Sequence, residues 1–236
     1  MWILIGRGGC GLLNSDRVHC LANSVRSHVA GDGSKSYKGD GGPLGQATFN
    51  GMHNLAFGLD YSVYITDNWN HCIRKIDADC RITTPAGTGK PGFSGDGGPA
   101  ARAEFNYILC ITLTPKGDKL QMADLKNRRS REIDLKSGIV QTIAGNGKLC
   151  VPKDGALATV APLIDHRAVC SDRAGNVTCS SAEGMRCVRF GQMEKSISSP
   201  GTDKKVAPMG PGQRRGSMAQ NTFAPTQEAM CLSPMT

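Results

Sequence analysis

The run Gly95-Asp96-Gly97-Gly98-Pro99 repeats the run Gly39-Asp40-Gly41-Gly42-Pro43, which lies 56 residues earlier in the chain. The segment Ala103-Glu104-Phe105-Asn106 repeats Ala47-Thr48-Phe49-Asn50 at the same offset. Ala-Gly pairs recur at a similar spacing, at Ala30-Gly31, Ala86-Gly87 and Ala144-Gly145. A period of about 57 residues is typical of stacked copies of one supersecondary unit, in which no single copy buries its apolar face alone. The sequence therefore predicts a repeat protein.

Residues 49–87 form one copy, and four short runs within it have the pattern of β-strands. The runs alternate apolar and polar residues or are rich in β-branched residues, and Gly, Asp, Asn and Pro separate them. They cover residues 55–59, 63–66, 72–76 and 82–84. No part of this copy has apolar residues at helical spacing over the ~10 residues that a helix needs. We therefore expect four strands and no α-helix in each copy.

The following copies place similar runs in the same slots. The second copy has them at residues 109–113, 120–123, 131–133 and 139–143. The third copy fills three slots, at residues 168–170, 176–179 and 187–190, and Ser181 stands where the first copy has Asp67. Four short antiparallel strands per repeat, joined by Gly and Asp turns, are the signature of a β-propeller blade. A β-sandwich would not copy one loop at a constant offset.

The repeats divide the chain into five segments and predict an incomplete ring. Residues 1–30 supply the outer strands of a partial blade, 31–87 and 88–145 are two full blades, 146–199 form a degenerate blade, and 200–236 are the truncated start of a further blade or a disordered tail. Propellers have about 4–8 blades. We expect an all-β, open propeller of about three recognisable blades plus part-blades, whose exposed edge strands favour self-association.

The best-formed copies resemble the NHL-repeat family in its long-period form. The segment from Tyr64 to Asp77 is similar to the family's strand, Asp-x-x-Asn-His turn and Arg-Ile-Arg-Lys strand, and the segment from Ala86 to Ala100 resembles its long Gly-rich connector. The resemblance covers residues 14–212, although Cys72 stands where the family usually has Arg. It implies a binding or scaffolding module that contacts a protein partner through blade-edge loops.

The same resemblance carries an expectation about location. Long-period NHL repeats occur in large bacterial and extracellular proteins, which implies a fragment of a longer protein in an extracellular or periplasmic setting. The apolar start Met1-Trp2-Ile3-Leu4-Ile5 is too short for the apolar region of a signal peptide, so none is recognised in this chain. No run approaches the ~18 apolar residues of a membrane helix.

Four polar residues recur in each of two copies, eight residues in all, and we expect them to be structural. Asp and Asn suit the turn between two strands, and an Arg can bridge neighbouring blades through its planar guanidinium. They are Asp67, Asn70, Arg74 and Asp77 in one copy and Asp124, Asn127, Arg131 and Asp134 in the next. A catalytic group is usually needed once, whereas these occur in duplicate. We therefore predict no catalytic residue, and the chain has the pattern of a binding protein rather than an enzyme.

An enzymatic alternative stays open. A propeller lyase or lactonase would hold a divalent metal in its central channel, with His53 or His71 as ligand or base, although a surface or hydrogen-bonded histidine explains both more simply. Asp40 and Asp96 offer calcium one carboxylate per loop, and we expect them to cap their own turns instead. Gly87-x-Gly89-x-x-Gly92 lacks the helix that a dinucleotide site needs. No cofactor or metal site is predicted.

RNA binding is the third alternative. The net charge is +8, which permits an anionic partner. The densest basic run supplies the candidate contacts to RNA or another anion, Lys126, Arg128, Arg129 and Arg131. Some NHL domains bind RNA on a basic face, but aromatic residues for base stacking are scarce here, and only Trp69 lies near such a turn.

The ten cysteines show no spacing typical of a metal or redox site. Cys72, Cys110 and Cys187 stand at positions that other residue types fill in the other copies. A disulfide kept for stability would tend to recur with the repeat. We therefore expect most of the thiols to be unpaired.

Overall fold

The computed structural model describes residues 2–6, 9–14, 16–22, 25–153, 155–181 and 187–190, and all of its regular structure is β-strand or short 3-10 turn. The strands are β1 Trp2–Gly6, β2 Gly9–Asn14, β3 Arg17–Ala22, β4 Val25–Ala30, β5 Met52–Phe57, β6 Val63–Asp67, β7 Cys72–Ile76, β8 Ile82–Ala86, β9 Ile108–Leu113, β10 Lys119–Asp124, β11 Arg129–Asp134, β12 Val140–Ala144, β13 His166–Ser171, β14 Val177–Ser181 and β15 Cys187–Phe190. The 3-10 turns are Leu44–Gln46, Asn68–Asn70, Ala100–Arg102 and Leu125–Asn127. The fold class is therefore all-β, as the sequence predicts.

The strands form four antiparallel meanders, which we number blades one to four. Blades one, two and three have four strands each, in the orders β1-β2-β3-β4, β5-β6-β7-β8 and β9-β10-β11-β12, and blade four has the order β13-β14-β15 within the described residues. The first strands of successive blades lie side by side, β1 with β5, β5 with β9 and β9 with β13. This arrangement of four-stranded sheets around their first strands is that of part of a β-propeller.

Blade one differs from its prediction. The sequence predicts only outer strands before residue 31, whereas β1 and β2 complete a four-stranded sheet. The expectation of a partial blade was wrong because Gly6, Gly9 and Gly11 lie in or beside these strands and make them look like a loop. The degenerate blade at 146–199 contributes three described strands, and the segment 200–236 lies outside the described residues.

The core lies between neighbouring blades rather than within one. Leu13 and Val18 of blade one pack with Leu55 and Ile65 of blade two. Between blades two and three, the core includes Ile73 and Ile108. The connectors contribute Phe49 to one core and Phe105 to the next, both with no exposed surface. The repeated Ala-x-Phe-Asn segments therefore serve as the wedge between successive blades.

Two further findings bear on the sequence predictions. Cys80 is disulfide-bonded, whereas free thiols are found at Cys20, Cys72, Cys110, Cys150 and Cys179. The described cysteines are thus mostly unpaired, as expected. Within the described part of the chain, no helix has the length and apolar character to cross a membrane.

Candidate binding surface

Arg74 is the centre of a buried polar network in blade two. Its side chain has no exposed surface. One guanidinium nitrogen, Nη1, donates to the Thr48 carbonyl at 3.1 Å and lies 3.4 Å from Asp67 Oδ2. The other, Nη2, donates to Asp40 Oδ1 at 2.8 Å and to the Lys38 carbonyl at 3.0 Å. One arginine on β7 thus holds the Gly-rich connector against its blade.

Arg131 repeats this arrangement in blade three. It is also fully buried, and its Nη2 donates to Asp96 Oδ1 at 2.7 Å and to the Ser94 carbonyl at 2.8 Å. Its Nη1 donates to the Glu104 carbonyl at 3.0 Å and lies 4.0 Å from Asp124 Oδ2. The guanidinium joins the connector that arrives from the previous blade to its own blade.

The recurring acids and amides separate into two groups. Asn70 Nδ2 donates to Asp67 Oδ2 at 2.9 Å, and Asn127 Nδ2 donates to Asp124 Oδ2 at 2.8 Å, so these residues join the arginine networks. Asp77 and Asp134 lie at the opposite end of the third strand and cap the turns there: Asp77 Oδ1 accepts from the Arg81 N–H and Asp134 Oδ1 from the Ser137 N–H, both at 2.8 Å.

Two sequence predictions fail at this network. Asp40 and Asp96 were expected to cap their own turns, but their carboxylates accept hydrogen bonds from Arg74 and Arg131 instead. Glycines at positive φ do form those turns, as predicted. Arg131 was a candidate RNA contact, but it is buried and saturated with partners, so that part of the prediction is wrong.

Burial governs the electrostatics of the two aspartates. Loss of solvation raises the pKa of Asp67 and of Asp124 to about 6, although amide and backbone N–H groups and the nearby arginine favour the charged form. Asp67 Oδ1 accepts from the Asn50 N–H at 2.7 Å, and Asp124 Oδ1 accepts from the Asn106 N–H at 2.8 Å. Each aspartate therefore connects the tip of its blade to the entry of the first strand.

The turns held by these networks project one side chain each from the middle of a 3-10 turn. Trp69 occupies this tip in blade two, and Lys126 occupies the equivalent tip in blade three. The indole is 52% exposed, and Lys126 is also exposed. We call the side of the molecule that carries these turns and the connectors the loop face.

Trp69, Tyr107 and Lys126 meet at the junction of blades two and three. The Trp69 and Tyr107 rings pack edge to face, with centroids 5.0 Å apart and planes at 71°. Lys126 Nζ lies 5.4 Å from the Trp69 centroid and 5.5 Å from the Tyr107 centroid. Gly51 makes room for the indole, because a β-carbon there would lie 2.3 Å from Trp69 Cδ1. Two aromatic rings and a cation thus form one surface feature.

Basic and aromatic groups extend this feature along the loop face. The Arg129 guanidinium stacks 3.8 Å from the centroid of Phe93, which is 42% exposed. Arg128 is half-buried and donates to the Gly147 carbonyl at 3.3 Å. Asn127 Nδ2 donates to the Gly92 carbonyl at 2.6 Å and so holds Phe93 beside the turn. We define the loop-face patch as Trp69, Phe93, Tyr107, Lys126, Arg128 and Arg129.

The sequence identified the cations and Trp69 but missed Tyr107 and Phe93. Tyr107 comes 56 residues after Gly51, so the repeat itself shows an aromatic residue replacing a glycine. Phe93 comes 56 residues after Tyr37, so an aromatic residue recurs at this connector position in both copies. Aligning equivalent positions of the repeats therefore identifies both aromatic residues, whereas a search for local motifs does not.

The histidines considered for catalysis have structural hydrogen bonds. His71 Nδ1 accepts from the Tyr107 N–H at 3.3 Å, and burial together with the charge of Lys126 lowers its pKa. His53 hydrogen-bonds to the backbone of Leu109, and burial lowers its pKa as well. Among the described residues, no three His, Cys, Asp or Glu side chains come together as a metal site would require.

Comparison with known proteins supports the architecture. No family model matches the chain. Protein SUPPRESSOR OF QUENCHING 1, chloroplastic, from Arabidopsis thaliana is 39% identical over 80 residues, which is 34% of this chain and 7% of that protein.

Solved structures from Bacteroides thetaiotaomicron are similar at low identity. A protein of unknown function superimposes with a TM-score of 0.62 at 16% identity, over 78% of this chain and 44% of its own. An auxiliary nutrient binding protein superimposes with a TM-score of 0.57, also at 16% identity and with the same two coverages. The chain spans less than half the length of these structures. At such identity the likeness shows the fold alone, which is that of part of a β-propeller.

Proposed function

We propose that this chain is part of an NHL-type β-propeller that works as a binding module, and that its loop-face patch binds an acidic segment of a protein partner. The observation that carries the proposal is the exposed Trp69 indole packed on Tyr107 with Lys126 above both rings. Trp, Tyr and Arg dominate the energetically important positions of protein interfaces. All three types occur in the patch.

The charge of the patch favours an acidic partner. Lys126, Arg128 and Arg129 bring three cations to the loop face, whereas the aspartates beneath them, Asp67 and Asp124, have no exposed surface. Glu104, a half-buried carboxylate beside the patch, packs against Gly92. Complementary charge speeds association and excludes basic partners.

Ring geometry favours protein over single-stranded RNA. Successive bases stack on aromatic faces that present themselves in sequence along a groove. Here the two rings meet at 71° and share one ammonium group, which suits a compact side chain better than a stack of bases. RNA binding is therefore an alternative result of the binding experiment described next and is not the function proposed here.

The test measures binding of the full chain to a copolymer of glutamate and tyrosine, with polyuridylate and polylysine as comparison ligands. The copolymer should bind, and Trp69→Ala should weaken it about 30-fold or more, the effect expected of a dominant interface residue. Lys126→Ala should weaken it, while Lys136→Ala, an exposed lysine on the opposite edge, should leave it unchanged. Binding to polyuridylate alone would replace this proposal with RNA binding, and binding to none of the three would overturn it.

A further inference from the structure

Tyr107 occupies a backbone position that disfavours it. The residue directly before the first strand of a blade has a left-handed backbone in blades two, three and four. Its φ is 70° at Gly51, 66° at Tyr107 and 35° at Asp165. Glycine adopts this conformation freely, and aspartate tolerates it because its short side chain can bond locally. A bulky residue there is a steric outlier. Tyr107 is therefore a large side chain at a position where the other junctions have glycine or aspartate.

The junction does not require the tyrosine side chain. The backbone N–H of Gly51 donates to Asp16 Oδ1 at 2.7 Å, and the N–H of Tyr107 donates to His71 Nδ1 at 3.3 Å. Both bonds use the main chain, so glycine would make the second one equally well. The strain at Tyr107 must be offset by something that the ring itself does.

The Tyr107 ring makes few contacts that would stabilise the fold. It is half-buried, packs against an indole that is itself exposed, and lies under the Lys126 ammonium. Among the described residues, nothing hydrogen-bonds to its hydroxyl. Backbone strain of this kind concentrates at ligand-binding sites, where geometry is held ready for a partner. The Tyr107 ring therefore packs within the loop-face patch and is not part of the hydrophobic core.

We propose that Tyr107 is the specificity-determining residue of the loop-face patch, and that its hydroxyl and Lys126 Nζ together bind one carboxylate of the partner while Trp69 packs on the methylene stem of that side chain. The inference rests on the proposed function and narrows it to recognition of a Glu or Asp side chain. A phenol donates one hydrogen bond and an ammonium group donates several, which matches the acceptor-only chemistry of a carboxylate.

Tyr61 provides a matched control for the strain. It is also a left-handed tyrosine, with φ of 64°, and it is 52% exposed on the opposite edge of blade two, in the turn between β5 and β6. Tyr61→Gly and Tyr107→Gly relieve the same backbone strain. Only the second removes a residue of the patch.

The experiment compares melting temperature with affinity for the glutamate and tyrosine copolymer. Tyr107→Gly should leave the melting temperature unchanged or raise it by about 2 °C, while weakening binding at least about tenfold. Tyr107→Phe should keep the ring and lose about fivefold in affinity with the hydroxyl. Tyr61→Gly should have the same thermal effect with unchanged binding.

Three results would overturn the inference. A melting temperature lowered by several degrees in Tyr107→Gly would show that the ring stabilises the fold. If the Tyr107→Gly variant bound the copolymer as tightly as the wild type, Tyr107 would not belong to the site, although the proposed function would stand. Absence of wild-type binding would remove the proposed function and this inference with it.

Discussion

The junction between blades two and three and the junction between blades three and four use the same positions with different chemistry. At the first junction, Asn54 Oδ1 accepts a hydrogen bond from the Ile111 N–H at 3.0 Å. A side-chain amide on β5 thus pairs with a backbone N–H of β9, the first strand of the next blade. At the second, Cys110 occupies the place of Asn54 and contacts the backbone of Val169. A thiol is a much weaker hydrogen-bonding group than an amide. The second junction is therefore joined less firmly.

The arginine networks show the same decline along the chain. In blade three, Arg131 pairs with Met122, and in blade four Val188 pairs with Cys179. Valine therefore occupies in blade four the strand position that arginine occupies in blade three. The connector that enters blade four lacks the Gly-Asp-Gly-Gly-Pro run and exposes aliphatic side chains instead, at Leu149, Val151, Leu157 and Val160. The comparison teaches that, in the described residues, the Gly-Asp-Gly-Gly-Pro connector occurs where the following blade supplies a buried arginine and is lost where that blade has valine.

The largest expected effect comes from making blade three resemble blade four. Arg131→Val should lower the free energy of unfolding by about 3–5 kcal/mol, because it leaves Asp124 and Asp96 without their buried partner. The double variant Arg131→Val with Asp124→Ser removes one of these charges and should recover part of the loss. Urea denaturation measures both. A cost below about 1 kcal/mol for the single variant would contradict the role given to the network.

The second prediction concerns pH. Burial lowers the pKa of His166, at the start of blade four, to about 4, and its Nε2 lies 2.9 Å from the Arg129 carbonyl. The folded state resists protonation of this group, so stability should fall as pH drops below 6.5, by about 2 kcal/mol at pH 5. Asp67 and Asp124 have the opposite sign, because their raised pKa favours the folded state as pH falls through 6.

Hydrogen exchange can separate these opposing effects by region. Between pH 7 and pH 5, after correction for intrinsic exchange, β13 should lose protection relative to β6 and β10. His166→Gln should abolish the difference. Equal changes in all three strands would mean that the junctions respond to pH as one unit.

The smallest effect comes from exchanging the inner-strand residues. Cys110→Asn should raise the free energy of unfolding by about 0.5–1 kcal/mol, since the amide can accept from the Val169 N–H as Asn54 does from Ile111. Asn54→Cys should lower it by about 1 kcal/mol. Both are measured by urea denaturation. If the two substitutions changed stability in the same direction, the equivalence of the two positions would be refuted.

The sequence predicted the repeat and most strands because each repeat carries its own turns and alternating runs. It did not predict β1 and β2, because glycine weakens the strand pattern and no earlier copy was present for alignment. It misplaced Arg131 because Arg128, Arg129 and Arg131 look alike in a basic run. Their exposure depends on partners such as Ser94 and Glu104, which lie far away in the sequence. The strain at Tyr107 depends on backbone geometry, which no local motif reveals.

The placement of Trp69 and Lys126 at equivalent turn tips has a consequence for how such a protein diversifies. The buried aspartate, asparagine and arginine fix each turn from beneath, and none of them is the tip residue. The tip can therefore be exchanged while the scaffold stays intact, and neighbouring blades can be varied independently. A duplicated repeat of this design can acquire a new binding partner when the one exposed tip residue of each blade is changed. Such a repeat is therefore a suitable scaffold for engineered or evolved binding specificity.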